Sequence, residues 1–207
     1  MKIICIGRNY VAHAKELNNA VPEAPVVFMK PPSALLVNDK PFYYPDFSED
    51  IHYECELVLR IGRNGRHVQP EFAWNYIDQV GLGIDFTARD LQQQLKDKGH
   101  PWEIAKGFDG SAVISPLIDA EEVALEKGVS FSLQKNGTTV QEGNSADMLF
   151  SIPQILVHLS KFFKLQQGDL IYTGTPAGVG PIAIGDVLEG TLETKSGPRS
   201  MFRCEIK

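Results

Sequence analysis

Apolar and polar positions alternate along this chain with a period of two far more often than with the helical period. Residues 2–6 (KIICI), 26–29 (VVFM) and 56–61 (ELVLRI) are short runs rich in aliphatic and β-branched side chains, which predicts strands. Residues 80–86 form an apolar run broken by glycines, in which an acid, Asp85, is the only charged residue. Residues 131–135 and 138–141 flank Asn136-Gly137, a pair suited to the positive φ angles of a two-residue hairpin turn. The helical period is clearest over 152–163, where Ser151 can cap, Pro153 fits the first turn, and Ile155, Leu156, Leu159, Phe162 and Phe163 form an apolar stripe. Residues 10–17, 71–78 and 87–98 are shorter or more polar helix candidates, the last stopped by Gly99. Strand-like stretches at 169–173, 187–193 and 200–206 follow. The pattern predicts an α+β, β-rich fold with few short helices, and the absence of repeats or linker-like composition predicts one domain over 1–207.

Composition narrows the function more than the fold. A chain of 207 residues, 43% hydrophobic and 22% charged, fits a globular domain and excludes the disordered and fibrous classes. Its net charge of −6 leaves no basic excess for a nucleic-acid backbone. No apolar run approaches the roughly 20 residues of a membrane helix, and the start lacks the apolar region of a secretory signal. The expectation is a cytoplasmic protein with no nucleic-acid or membrane partner. Cys5, Cys55 and Cys204 are widely spaced and odd in number, which speaks for a reducing compartment and against a disulfide framework or zinc ribbon.

Three acids attract attention. Glu54 and Glu56 flank Cys55 at the head of a strand, so alternation puts both carboxylates on one face and Cys55 on the other. Such a pair is either solvated or offset by a cation. Asp85 stands in an otherwise uncharged run where an unpaired acid is costly to bury. Three carboxylates plus waters and a chelating substrate would complete the octahedral shell that Mg²⁺ or Mn²⁺ favours. His13 and Glu16 are three apart; on a helix they would share a face, either as a solvated pair or as a carboxylate-oriented general base. Lys106 stands just after the polar segment that follows Asp85, and a lysine near such a site can offset an enolate or carboxylate. The 173–180 loop, TGTPAGVG, offers amides and hydroxyls but lacks the ending of a phosphate-binding P-loop.

These segments together resemble the fumarylacetoacetate hydrolase superfamily, in particular its small acylpyruvase and oxaloacetate decarboxylase branch. The similarity runs through GRNY with His13 and Glu16, FMKP at 28–31, HYECEL at 52–57, DFTARD at 85–90, KGFD at 106–109 and the 173–180 loop. It implies a mixed β-sandwich roll, a homodimer, and Mg²⁺ or Mn²⁺ on Glu54, Glu56 and Asp85. It further implies a mobile lid over residues 10–25 carrying a water-activating His13–Glu16 dyad, with Lys106 as active-site lysine. Arg8, Tyr10, Lys30, Arg89, Gln92 and Thr175 match substrate-binding positions, while Gly107 departs from a place often held by Ser. The activity so implied is C–C cleavage in a 2-oxo acid, by acylpyruvate hydrolysis or oxaloacetate decarboxylation, both passing through a pyruvate enolate. Isomerisation or decarboxylation of 2-hydroxyhepta-2,4-diene-1,7-dioate and a non-catalytic metal-binding scaffold are the alternatives.

Overall fold

The computed structural model describes residues 1–207 except 17–20 and 38, and at Ala14 and Lys15 the backbone alone. In the first half of the chain it contains β1 (Ile3–Gly7), α1 (Val11–Glu16), β2 (Val26–Lys30), β3 (Leu35–Leu36), β4 (Ile51–Tyr53), β5 (Cys55–Ile61), β6 (Ile77–Asp85), β7 (Thr87–Ala88), α2 (Arg89–Asp97), α3 (Glu103–Lys106), β8 (Ala112–Ile114) and β9 (Ile118–Asp119). The second half adds β10 (Ser130–Lys135), β11 (Thr138–Asn144), α4 (Ile152–Phe162), β12 (Leu170–Tyr172), β13 (Gly180–Pro181), β14 (Val187–Thr194) and β15 (Gly197–Glu205). Among the described residues no helix is long and apolar enough to cross a membrane.

The largest sheet runs β2-β1-β12-β5-β6-β8-β3, with β9 also paired to β6. It is mixed: β1 pairs with β12 and β3 with β8 in parallel, while β5 and β6 are antiparallel. A four-stranded sheet, β11-β10-β14-β15, lies over β5 and β6, and a three-stranded sheet, β13-β4-β7, stands beside them. Between the two larger sheets Leu57, Leu59, Leu82 and Ile84 share one core with Phe131, Leu133, Leu188, Leu192 and Phe202. Full burial of side chains of this size contributes about 1.5–3 kcal/mol each. The opposite face of β5 and β6 meets a smaller cluster of Ile3, Cys5, Val58, Leu170 and Tyr172. This is the β-rich α+β fold the pattern predicts, in the sandwich arrangement the resemblance implies.

Local expectations hold where the turn chemistry is strong. Asn136 and Gly137 take φ of 53° and 78°, and β10 and β11 pair across them. In α4, Ser151 and Gln154 form a reciprocal cap and Ile155, Leu156 and Leu159 are buried. Phe162 departs from its predicted place in the stripe: it is 62% exposed, while Phe163 packs against the core. The helix expected over 71–78 is a 3₁₀ segment, Pro70–Tyr76, and Thr87 and Ala88 form β7 ahead of α2. All three cysteines are buried free thiols, and Cys55 packs into the main core away from the glutamates.

Candidate active site

Alternation along β5 and β6 builds the site. Glu56 pairs with Gly83 and Cys55 with Ile84, so one face of the ladder carries the core residues and the other carries Glu56, Gly83 and Asp85. A Cβ at Gly83 would lie 2.5 Å from the Val113 carbonyl oxygen and 2.8 Å from the Tyr172 ring. The missing side chain lets Tyr172 pack across the ladder beside the acids and donate its hydroxyl to Val113 at 2.7 Å.

Glu54, Glu56 and Asp85 are buried, and one oxygen from each lies within 4.8 Å of the others. Lys106 Nζ bridges two of them, donating to Glu54 Oε2 at 2.9 Å and to Asp85 Oδ2 at 2.7 Å, and also reaches the Thr87 hydroxyl. Arg89 Nη2 donates to Glu54 Oε1 at 2.6 Å. Burial alone would raise the Glu54 carboxyl, but Lys106, Arg89 and His13 overcome it and hold the group well below the usual carboxylate range. The same two acids overcome the burial of Lys106 and keep its ammonium charged.

Glu56 is different. Its Oε2 accepts the Gly174 amide at 2.7 Å, and no cationic side chain pairs with it among the described residues. Burial, then the neighbouring charges of Asp85 and Glu54, push its carboxyl well above the ordinary value. Asp85 Oδ1 accepts no hydrogen bond, although Lys30 Nζ stands 2.8 Å away and off its bonding direction. An unneutralised carboxylate, a carboxylate oxygen that accepts no hydrogen bond and an all-oxygen donor set together fit a hard divalent cation. Glu54, Glu56 and Asp85 would hold it.

Above the acids, Arg8, His13, Glu54, Arg89, Gln92 and Lys106 line a narrow cleft of about 30 Å³, closed by Phe28, Lys96 and Trp102. A larger hollow of about 500 Å³ over β10, β11 and β14 lies away from this chemistry. His13 Nδ1 is 3.5 Å from Glu16 Oε2, a contact at the long limit of a hydrogen bond, and the Glu16 carboxylate also accepts the Gly178 amide at 3.1 and 3.2 Å. The glycine-rich loop thus docks α1 over the cleft. Burial lowers the His13 pKa and outweighs Glu54 and Glu16, which favour the charged ring, so the imidazole is the neutral, proton-accepting form at neutral pH.

Of the residues singled out from the sequence, Arg8, His13, Arg89, Gln92, Lys106 and Glu54 reach the cleft, and Glu56 and Asp85 lie buried beside Glu54. Glu16 stands behind His13 on the exposed side. Three predicted substrate-binding residues sit elsewhere. Lys30 is buried under the acids, its ammonium spent on Asp85, on the carbonyls of Phe86, Lys106 and Ser111 and on the Ser111 hydroxyl. The Thr175 hydroxyl donates to the Cys55 carbonyl at 2.8 Å and accepts from Gln141, fixing the loop to β5. Tyr10 is buried with its hydroxyl unpartnered, and burial and Glu56 keep it protonated. The predicted lid over 10–25 falls partly on residues 17–20, outside the described residues. Sequence reasoning missed Lys96, although Arg89, Gln92 and Lys96 carry the i, i+3, i+7 spacing of one helical face. It also missed the Gly174 amide, which reaches Glu56 because Gly174 adopts a φ of 102°.

A β-sandwich roll with a buried carboxylate triad, bridging lysine and neutral histidine beneath a cation-lined cleft has the composition of an enzyme active site. The Fumarylacetoacetate (FAA) hydrolase C-terminal family matches residues 2–206, and the chain belongs to that family. It is 43% identical to the Arabidopsis thaliana protein named oxaloacetate tautomerase FAHD1, mitochondrial, over 89% of this chain and 82% of that one. It is 41% identical to oxaloacetate tautomerase YcgM of Escherichia coli, over 94% and 90% of the two chains. Among solved structures, fumarylpyruvate hydrolase from Pseudomonas aeruginosa in complex with Mn²⁺ and pyruvate is similar with a TM-score of 0.91 and 35% identity, covering all of this chain and 90% of that one.

Proposed function

We propose that this chain is a divalent-cation-dependent enzyme of 2-oxo acids that interconverts the keto and enol forms of oxaloacetate. The observation that carries the reading is the buried triad of Glu54, Glu56 and Asp85 under a cleft where neutral His13 faces Lys106 and Arg89. A cation held by the triad would supply Lewis acidity to the carboxylate and keto oxygens of the substrate and so acidify its C3 protons. His13 Nε2 takes the C3 proton, the C–H pair becomes the C2–C3 double bond, and the carbonyl pair moves onto O2, which takes the proton from the imidazolium, directly or through water, and restores neutral His13. Glu16 orients the imidazole through Nδ1 and favours its transient charge. The Lys106 ammonium lies on the side where charge develops and offsets it.

C–C cleavage is the second reading, because expelling a pyruvate enolate by decarboxylation or hydrolysis makes the same electrostatic demand. The manganese and pyruvate bound by the Pseudomonas relative support it. The test follows the enol absorbance of oxaloacetate and, in parallel, pyruvate release from oxaloacetate and acetylpyruvate, with Mg²⁺, with Mn²⁺ and after chelation. Cation-dependent loss of enol faster than pyruvate release supports the tautomerase; the reverse order favours cleavage. Replacing His13 by Ala should lower the rate by about 10²–10⁴. An undiminished rate in that variant would remove His13 from the mechanism, and inertness toward both substrates would turn attention to the dienoate isomerase.

A further inference from the structure

The cleft holds more positive charge than its acids account for. Lys106 and Arg89 are engaged with Glu54 and Asp85, whereas Arg8 and Lys96 have no carboxylate within ion-pair distance among the described residues. Lys96 is half-buried on the cleft face of α2, seven residues beyond Arg89, with its ammonium 5.7 Å from the centre of the Trp102 ring. That contact draws the side chain toward the cleft mouth rather than into solvent. Arg8 holds a left-handed φ of 58°, a strained backbone state for a residue with a side chain, and this strain sits at the same mouth. Burial, then the nearby charges of Arg8, Arg89 and Lys106, lower the Lys96 ammonium to about 8, so the site gains when an anion enters.

Glu54, Lys106 and His13 line the cleft, with Glu56 and Asp85 buried behind it, and the 2-oxo and C1 carboxylate end of a substrate belongs there. We infer that Lys96, held by Trp102 at the mouth, binds the second carboxylate and selects 2-oxo dicarboxylates over 2-oxo monocarboxylates. The inference rests on the 2-oxo acid reading and deepens it: Lys96 is a specificity residue, apart from the groups that move protons.

Calorimetric titration of the Mg²⁺-loaded protein with oxaloacetate and with 2-oxobutanoate, which carries a methyl in place of the distal carboxylate, separates the two ideas. Oxaloacetate should bind tighter to the unaltered protein. Lys96→Met should weaken oxaloacetate about 10-fold or more, as expected on losing a hydrogen bond to a charged group, and leave 2-oxobutanoate unchanged. Lys96→Arg, which keeps the charge, should recover most of the loss. A ratio between the ligands that Lys96→Met does not move, including an equal weakening of both, overturns the assignment while the 2-oxo acid reading stands. Binding of neither ligand to the unaltered protein overturns that reading, and the role of Lys96 with it.

Discussion

At the scale of single residues, the decisive property of the site is which groups are charged. His13 is a neutral base because it is buried, even with Glu54 and Glu16 nearby, and its pKa lies below the ordinary 6.5. Protonation removes the base, so kcat/KM, which reports the free enzyme, should fall on the acid side with a midpoint below pH 6.5. The linkage to stability has a matching sign: with the folded pKa depressed, the unfolded chain binds more protons, and His13 destabilises the fold as pH drops below about 6.5. A pH–rate profile measures the first effect, and a midpoint at or above 6.5 would assign the limb to another group. His13→Ala should lessen the acid loss of stability, read from urea midpoints at pH 5 and pH 7.

At the scale of elements, the site depends on how closely β5, β6, β8 and β12 approach one another. Gly83 is the point of tightest contact, with Val58, Val113 and Tyr172 all within 3 Å of where a Cβ would stand. Backbone and a buried tyrosine cannot step aside cheaply, so Gly83→Ala should cost about 1–3 kcal/mol by overpacking. A lower urea midpoint at unchanged m-value would report it; an unaltered midpoint would mean that the ladder opens without penalty. The alternation that places Glu54 and Glu56 on one face is visible in the sequence, as are the Asn136-Gly137 hairpin and the capped helix α4, whereas the register that sets Gly83 and Asp85 beside the glutamates is not. Local period and turn chemistry fix those features within a few residues of each other. The pairing of β1 with β12, 167 residues apart at Ile3 and Leu170, has no local signal. Nor do the two fates of lysine: Lys30 and Lys106 look alike in the chain, yet Lys30 is bonded to three carbonyls beneath the acids and Lys106 bridges them at the cleft. Resemblance placed both in the site, and only the fold distinguishes support from contact.

At the scale of the whole molecule, the acids and their lysines tie together β2, β5, β6 and α3, which are far apart in sequence, so occupation of the triad should be felt as global stability. Glu56 supplies the sign. Its carboxyl is raised above the ordinary 4.5 by burial and by Asp85 and Glu54, so the folded state holds a proton that the unfolded chain releases. In chelator that contribution is complete below about pH 4.5 and is lost as pH rises toward the folded pKa. A divalent cation takes the place of the proton, and the stabilisation it brings should therefore grow with pH. At a concentration 100 times its Kd the gain is about 2.7 kcal/mol, which for a chain of this size is about 5–10 °C in Tm. Glu56→Gln separates the two effects, since a neutral amide needs neither proton nor cation. In chelator at pH 8 its Tm should equal or exceed that of the unaltered protein, and Mg²⁺ or Mn²⁺ should raise it much less. The difference between the two proteins across pH isolates Glu56 from the other titrating groups. A Tm indifferent to both ions in the unaltered protein would mean that Lys30, Lys106 and Arg89 neutralise the acids unaided, and the enolate chemistry would then have to rest on the two of them that line the cleft, Lys106 and Arg89.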